Sequence, residues 1–461
     1  MTSQIALQSK KGRIRNSTLL LLGFATVFFP RLLTYFGAPS PLNFAHFIII
    51  PVVVGIILLT TRVKDRQQIA LAGELIFGLG ILLACMIMSA LINDAGIINV
   101  FLQFMFNGEP FLFLIAMIAL PLVGENLERV RRWIAGFCLF NLILALVQSV
   151  LLPLGLYPGA RGGQLWTDNT AGVFASPGGS AGNYISATVS LYFAFYFFNN
   201  FKTVPRWIRI TMVLGALYQT YISDSKQIFV ALFIGWLLVI WTNVQKPLKL
   251  LLYLIPIVLL LAAFSWALVD TNWEFLDPYR NFTTNRAGQN LYGPDGEATL
   301  IKTAAFRIVP SFYTTPLNWL FGLGPGHTAS RLGAWFLRDA AYQKLLLPLG
   351  ATIHPASEAF WQFLSSPSGP GWLFRDSTMF SPMYSWVGIW GDLGIVGLIA
   401  YLYLGSIVWR KICVDDFCKF LLLSTAVLGC IFTQMEEPGQ MLAVACFVSL
   451  RWHEEREHNK R

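Results

Sequence analysis

The chain has 461 residues, 55% of them hydrophobic, 15% aromatic and only 12% charged, with a mean hydropathy of +0.59. This is the composition of a polytopic membrane protein, and its unbroken, non-alternating apolar runs exclude a membrane β-barrel. The net charge of +9 belongs to basic loops between spans, because no soluble basic domain exists to bind nucleic acid.

A hydrocarbon core about 30 Å thick needs roughly 20 apolar residues per helix, with every backbone polar group satisfied internally. Apolar runs near residues 17–36, 43–61, 69–91, 98–122, 133–153, 183–201, 208–223, 226–243, 250–269, 384–407, 419–435 and 438–451 predict an all-α bundle of about twelve spanning helices. No small-residue cleavage site follows the first run, which therefore reads as a retained helix, interrupted by Pro30 and Arg31 near its end. The final pair is short enough for a tilted or re-entrant hairpin.

Three regions follow: an N-terminal bundle of about nine spans over 1–269, a long polar loop over 270–383, and C-terminal helices over 384–461. Lys10, Lys11, Arg13 and Arg15 precede the first run, Arg62, Lys64 and Arg66 follow the second, and Arg129, Arg131 and Arg132 follow the fourth. Arg410, Lys411 and Lys419 follow the tenth run, and Arg451, Arg456, Lys460 and Arg461 close the tail. The positive-inside rule puts these and both termini in the cytoplasm, which makes the long loop extracytoplasmic and the protein a multi-pass component of the cytoplasmic membrane. Cys85, Cys138, Cys413, Cys418, Cys430 and Cys446 all fall outside that loop, so no disulfide framework is expected, and Cys413 and Cys418 lack the second pair that a metal site needs.

The opposite face carries three candidate stretches. Residues 157–184 contain Arg161-Gly-Gly and Gly172-Val-Phe-Ala-Ser-Pro-Gly-Gly, a backbone able to approach a ligand closely or to form an anion-binding nest, and equally able to serve as a flexible connector. Ser223-Asp224-Ser225-Lys226-Gln227 opens a helix; positive residues are depleted on this side, and a lysine beside a helix N-terminus suits a phosphate. Within the long loop, Leu300, Ala304, Ile308 and Phe312 predict an amphipathic helix over 299–312 that carries Lys302 and Arg307. A glycine turn ending at His327 comes next, followed by Arg331, Arg338, His354, Glu358, Arg375 and Asp376. Trp319, Trp335, Trp361 and Trp372 suit either sugar stacking or interfacial anchoring.

Arginines with few clustered acids point to an anionic substrate and to no metal. No Asp-x-Asp pair lies on this face and no Walker-type loop occurs anywhere, so no cofactor or nucleotide is expected and the activated donor arrives already energised.

The Ser223-x-Ser225-Lys226 helix start, the Phe321-Gly-Leu-Gly-Pro-Gly326 turn and Trp390-Gly-Asp-Leu-Gly394-Ile-Val-Gly397 resemble, in that order around the long loop, the O-antigen ligase/polymerase (Wzy/WaaL) superfamily. Gly172-Val-Phe-Ala-Ser-Pro-Gly is similar to that family's earlier glycine-phenylalanine-asparagine-proline stretch, and the resemblance covers about 133–407. It implies metal-independent, inverting transfer of a glycan from an undecaprenyl-diphosphate-linked donor. The acceptor would be a lipid-linked saccharide or lipid A-core, and a chain-length regulator is a candidate partner. Lys226 matches a position usually held by arginine, and Arg307 resembles the arginine that precedes the glycine turn; with Arg161 and Arg331 they are the candidate diphosphate and glycan contacts. The family ligases' histidine before the post-loop span falls at Met383 here, which leans toward a polymerase and leaves His327, His354 and Asp376 as candidate bases. A transporter of an anion or lipid-linked sugar is the rival reading, with Glu109 and His46 its midplane candidates. A member that has lost activity is the third.

Overall fold

The computed structural model describes residues 15–61, 65–157, 166–175, 182–243, 290–366, 370–371, 373 and 380–459. The described residues are helical, with no strand among them. In chain order the α-helices are α1 (Asn16–Phe28), α2 (Pro30–Tyr35), α3 (His46–Thr60), α4 (Arg66–Ile92), α5 (Ile97–Ala119), α6 (Glu125–Leu151), α7 (Gly182–Asn200), α8 (Arg206–Ile222) and α9 (Lys226–Asn243). They continue with α10 (Glu297–Lys302), α11 (Ala304–Ser311), α12 (Pro316–Phe321), α13 (Arg331–Ala334), α14 (Ala340–Leu346), α15 (Pro355–Ser365), α16 (Ser385–Lys411), α17 (Asp416–Gly429) and α18 (Pro438–His458).

Six described helical stretches are long and apolar enough to cross a membrane: Ser40–Thr60, α4, α5, α6, α9 and α16. Others, such as α1 and α17, are apolar but shorter, and the expected helix at 250–269 lies outside the described residues. The first expected run breaks at Phe29, where Pro30 opens α2. Large apolar side chains stand exposed around the bundle, among them Leu59 at 89% and Leu91 at 72%. In water such a surface would drive association; in a bilayer it is the solvated surface. The chain is a helical membrane protein.

α5 is the central element, packed by α3, α4 and α18, and α7 is buried along Gly182–Ala194. One end of the bundle is tied by ions. Arg451 pairs with Asp415 (2.7 Å) and Glu454 (2.6 Å), Arg456 with Asp65, and Lys411 with Glu74 (2.5 Å). We call this the basic face, and the opposite end the loop face.

Described residues 290–366 form a helical cap with its own apolar core, in which Ile301, Val309, Phe360, Tyr384 and Val387 take part. The single amphipathic helix expected over 299–312 is two helices, α10 and α11, meeting at Thr303. Its buried positions are Ala298, Ile301, Ala304, Ala305 and Val309, because the cap packs on itself and on α16 as well as facing outward. Arg307 is exposed; it donates to the Leu300 carbonyl (2.6 Å) and to Thr303 Oγ1 (3.1 Å), which bridges the break.

Candidate functional site

The cap is locked to the bundle by two of the glycine motifs. Inside α16 the helix breaks at Gly394, whose φ is 67°. The carbonyls of Gly391 and Asp392, which lose helical partners there, accept from the backbone N–H groups of Leu323 (2.9 Å) and Gly324 (3.0 Å). Asp392 then receives the turn on its carboxylate. Gly326 N–H donates to Oδ2 (2.9 Å), while Thr328 N–H and hydroxyl donate to Oδ1 (3.0 and 2.7 Å). Ser89 in α4 donates to the Phe321 and Asp392 carbonyls (2.5 and 2.8 Å). A Cβ on Gly322 would lie 2.4 Å from the Asp392 carbonyl carbon, and one on Gly394 would lie 2.3 Å from that of Leu320. Only glycine fits at either place.

This lock delivers Arg331, at the start of α13, into the bundle. Its guanidinium is buried and forms an ion pair with Glu437 Oε1, while Arg31 at the start of α2 holds Glu437 Oε2 at 2.6 Å. The Arg331 backbone N–H donates to Glu436 Oε2 (2.7 Å), and its guanidinium carbon lies 5.3 Å from the ring centroids of Phe106 and Phe336. Burial pushes the Glu436 carboxyl up to about 8, against the Arg331 N–H bond that favours its charged form. Glu436 Oε1 rests against Gly388, where a Cβ would come within 2.8 Å of it.

Phe432–Gln440, which joins α17 to α18, is the hub of the loop face. Ser385 fixes it by donating its N–H to the Phe432 carbonyl (3.0 Å) and accepting from Met435 N–H (3.1 Å). The Phe432 ring packs at 4.5 Å on Tyr184, tilted by 44°, and lies 5.9 Å from Lys302 Nζ. Gly439 packs on Phe174, with 2.3 Å between its Cβ position and that ring. Phe174 closes the Gly172 segment, which α6 clamps from the side: Gln148 Oε1 accepts from Ala171 and Gly172 N–H (3.0 and 2.7 Å), and Asn141 Oδ1 from Val173 N–H (3.1 Å). Beside Tyr184, Asn183 donates to the Ser223 carbonyl (2.9 Å) at the turn that opens α9.

The expected site residues fall into separate groups. Arg331 sits in the hub. Lys226 begins α9 near the hub's Tyr184 edge, half-exposed, with Asp224 at 3.1 Å. Arg307 lies on α11, its guanidinium carbon 5.7 Å from the Phe363 ring centroid. Lys302, one helix earlier, reaches the hub instead: its ammonium donates to the Ser381 carbonyl (3.0 Å) and faces no carboxylate among the described residues. Burial lowers its pKa to about 8.

His327 and His354 stack at 5.2 Å. His327 Nδ1 meets the Leu323 carbonyl (2.8 Å), which can only accept, so Nδ1 carries the proton and Nε2 takes the Thr352 hydroxyl (2.8 Å). Burial lowers its pKa to about 4, which keeps the ring neutral. His354 Nδ1 accepts from Ala356 N–H (3.1 Å) as the cap of α15. Each ring's lone pair is thus already engaged. Arg161 and Asp376 lie outside the described residues.

Reading the chain by motif missed Arg31, Lys302, Glu436 and Glu437 as site residues. The one local signal was a pair of adjacent acids between two apolar runs, Glu436-Glu437-Pro438. No group of three or more His, Cys, Asp or Glu side chains among the described residues is arranged to hold a metal ion. No protein-family model matches the chain, and no curated protein matches it.

Proposed function

We propose that the protein is an integral-membrane glycosyltransferase of the O-antigen polymerase/ligase type, acting as a polymerase. In this reading about twelve helices cross the cytoplasmic membrane, the basic face and both termini are cytoplasmic, and the cap is extracytoplasmic. The donor is a glycan on undecaprenyl diphosphate and the acceptor a lipid-linked saccharide.

The observation that carries this reading is an excess of fixed positive charge at the hub. Arg31 and Arg331 share the single carboxylate of Glu437, Lys302 faces no carboxylate among the described residues, and Asp392 spends its oxygens on the Gly326–Thr328 turn. Once Glu436 has taken up the acceptor proton it is neutral, so the balance is positive as the diphosphate departs. An acceptor hydroxyl oxygen bonds to the anomeric carbon from the face opposite the diphosphate. The bond between that carbon and the phosphate oxygen breaks, and undecaprenyl diphosphate leaves with the electron pair beside Arg331 and Lys302. The hydroxyl proton passes to ionised Glu436, a base whose pKa of about 8 lies near working pH.

The test is the lipid-linked glycan profile of cells lacking the protein. Single repeat units accumulating on the outer leaflet, with long polymer lost, support the reading; normal polymer removes it. One observation favours the rival reading of transport. His46 Nδ1 and Glu109 Oε1 meet at 2.7 Å, both buried, on two helices long enough to span. Repeat units trapped on the inner leaflet would select that reading.

A further inference from the structure

In α12 the apolar side chains point outward. Leu317, Trp319 and Leu320 are 47%, 47% and 44% exposed, while the one buried residue of the helix is the polar Asn318. A helix that packs on a protein core and faces water shows the reverse pattern. From Ile308 to Gly326 the chain carries no charged residue. α12 packs on α16 and α4, which are themselves neighbours. Leu320 meets Gly394 of α16, and Ser89 of α4 donates to the Phe321 carbonyl. On the same stretches those two helices expose Ile87, Met88 and Leu91, and Ile395 and Ile399. The apolar side of α12 therefore continues the lipid-facing surface of the spanning helices.

Its level follows from the ion pair at the other end of the same two helices. Glu74 of α4 and Lys411, the last residue of α16, meet at 2.5 Å and are both partly exposed, which marks where the helices reach water on the basic face. At the rise of an α-helix, Ser89 stands about 22 Å from Glu74 and Gly394 about 25 Å from Lys411, both within a hydrocarbon core about 30 Å thick. Helix tilt only shortens these heights. Trp390, about 31 Å from Lys411 on the same count, falls at the boundary. Its ring lies 6.0 Å from that of Trp319, which meets Tyr313 at 4.9 Å. Aromatic rings of this kind collect at the headgroup level.

Backbone that leaves a helix at membrane depth persists only where protein holds its polar groups. Both ends of α12 meet that demand. Before it, Asn318 Oδ1 accepts from the N–H groups of Thr314 and Thr315 (3.1 and 3.0 Å). After it, Gly322 N–H donates to the Asn318 carbonyl (2.8 Å), and the N–H groups of Leu323 and Gly324 donate to the broken turn of α16. The Gly322 carbonyl accepts from the Asn93 amide (3.2 Å). A turn in water would need none of these partners. We propose that α12 is a re-entrant element, which dips from the loop face into the adjoining leaflet. Lipid acyl chains cover Leu317 and Leu320, and Trp319 lies toward the headgroups. The inference stands on the geometry and is independent of the glycosyl-transfer reading.

The test needs no turnover. Leu317→Cys and Leu320→Cys are made in the full chain with its six native cysteines replaced. Each is labelled with a nitroxide and reconstituted in vesicles of phosphatidylethanolamine and phosphatidylglycerol. Collision rates are measured with oxygen, which concentrates in hydrocarbon, and with a water-soluble nickel chelate. Ile399→Cys, 61% exposed within α16, is the lipid reference, and Thr203→Cys, exposed in the turn between α7 and α8, is the water reference. The proposal expects both α12 positions to match Ile399→Cys, with an oxygen-to-nickel ratio severalfold above that of Thr203→Cys. A ratio like that of Thr203→Cys would place α12 in water and overturn it. Low access to both reagents would mean that protein, such as a second copy of the chain, covers the helix, and would overturn it equally. Both substitutions replace exposed side chains and leave the Gly322–Gly394 contact intact. Reference positions that behave as lipid and as water in the same background show that the fold is kept.

Discussion

Glu437 is gripped from two sides, by Arg31 on α2 and by Arg331 on α13, while its neighbour Glu436 receives only a backbone N–H. Two adjacent acids therefore have opposite roles. Removing one partner from a buried ion pair costs about 3–5 kcal/mol because the other charge stays buried. Glu437→Ala should accordingly lower the melting temperature of the purified protein in detergent sharply, and Arg331→Ala should do the same. Glu436→Gln, which keeps the shape and a neutral side chain, should leave stability near that of the native protein. Its effect belongs to pH instead. A carboxyl raised to about 8 gains its charge as pH rises through that value, while Lys302, lowered to about 8, loses its charge over the same range, so a rate that needs both peaks near pH 8 and falls on either side. Glu436→Gln should give a low profile that loses the rise and keeps only the fall above about pH 8. These roles had no local signature, because Arg31 reaches Glu437 across most of the chain's length and Arg331 across about a quarter of it.

Most helices could be read from the sequence, because run length and apolar content are local properties. α4, α5, α6, α9 and α16 lie where the apolar runs predict, within a few residues at most ends. The exceptions have particular causes: Pro30 divides the first run, and Thr303 divides the helix that carries Lys302 and Arg307. The glycine motifs were visible as motifs but not as one device. Nothing local says that Gly322 and Gly394 are each pressed against the other's strand of backbone. Gly394→Ala would strain a positive φ, at about 1–3 kcal/mol, and would also push the Leu320 carbonyl away. It should loosen the cap, seen as faster proteolysis within 316–330 while the spanning helices stay protected. An unchanged cleavage rate would mean that the lock does not hold the cap.

At the scale of the molecule, a basic face rich in paired ions opposes a loop face whose cations outnumber their partners. If the excess charge serves a diphosphate, Lys302→Ala should cost polymer in cells more severely than Arg307→Ala, since Arg307 is occupied by the Leu300 carbonyl. Lys226→Arg should preserve polymer and Lys226→Ala should not.

The central claim, that the hub stabilises a departing diphosphate without a metal, is tested most directly with the purified protein. Undecaprenyl diphosphate released from a lipid-linked repeat unit would be measured in the presence of a chelator, for the native chain and for Lys302→Ala. The account predicts metal-independent release with concurrent chain growth in the native protein, and release at least tenfold slower in Lys302→Ala. Release that stops in chelator, or that is as fast without Lys302 as with it, would contradict it.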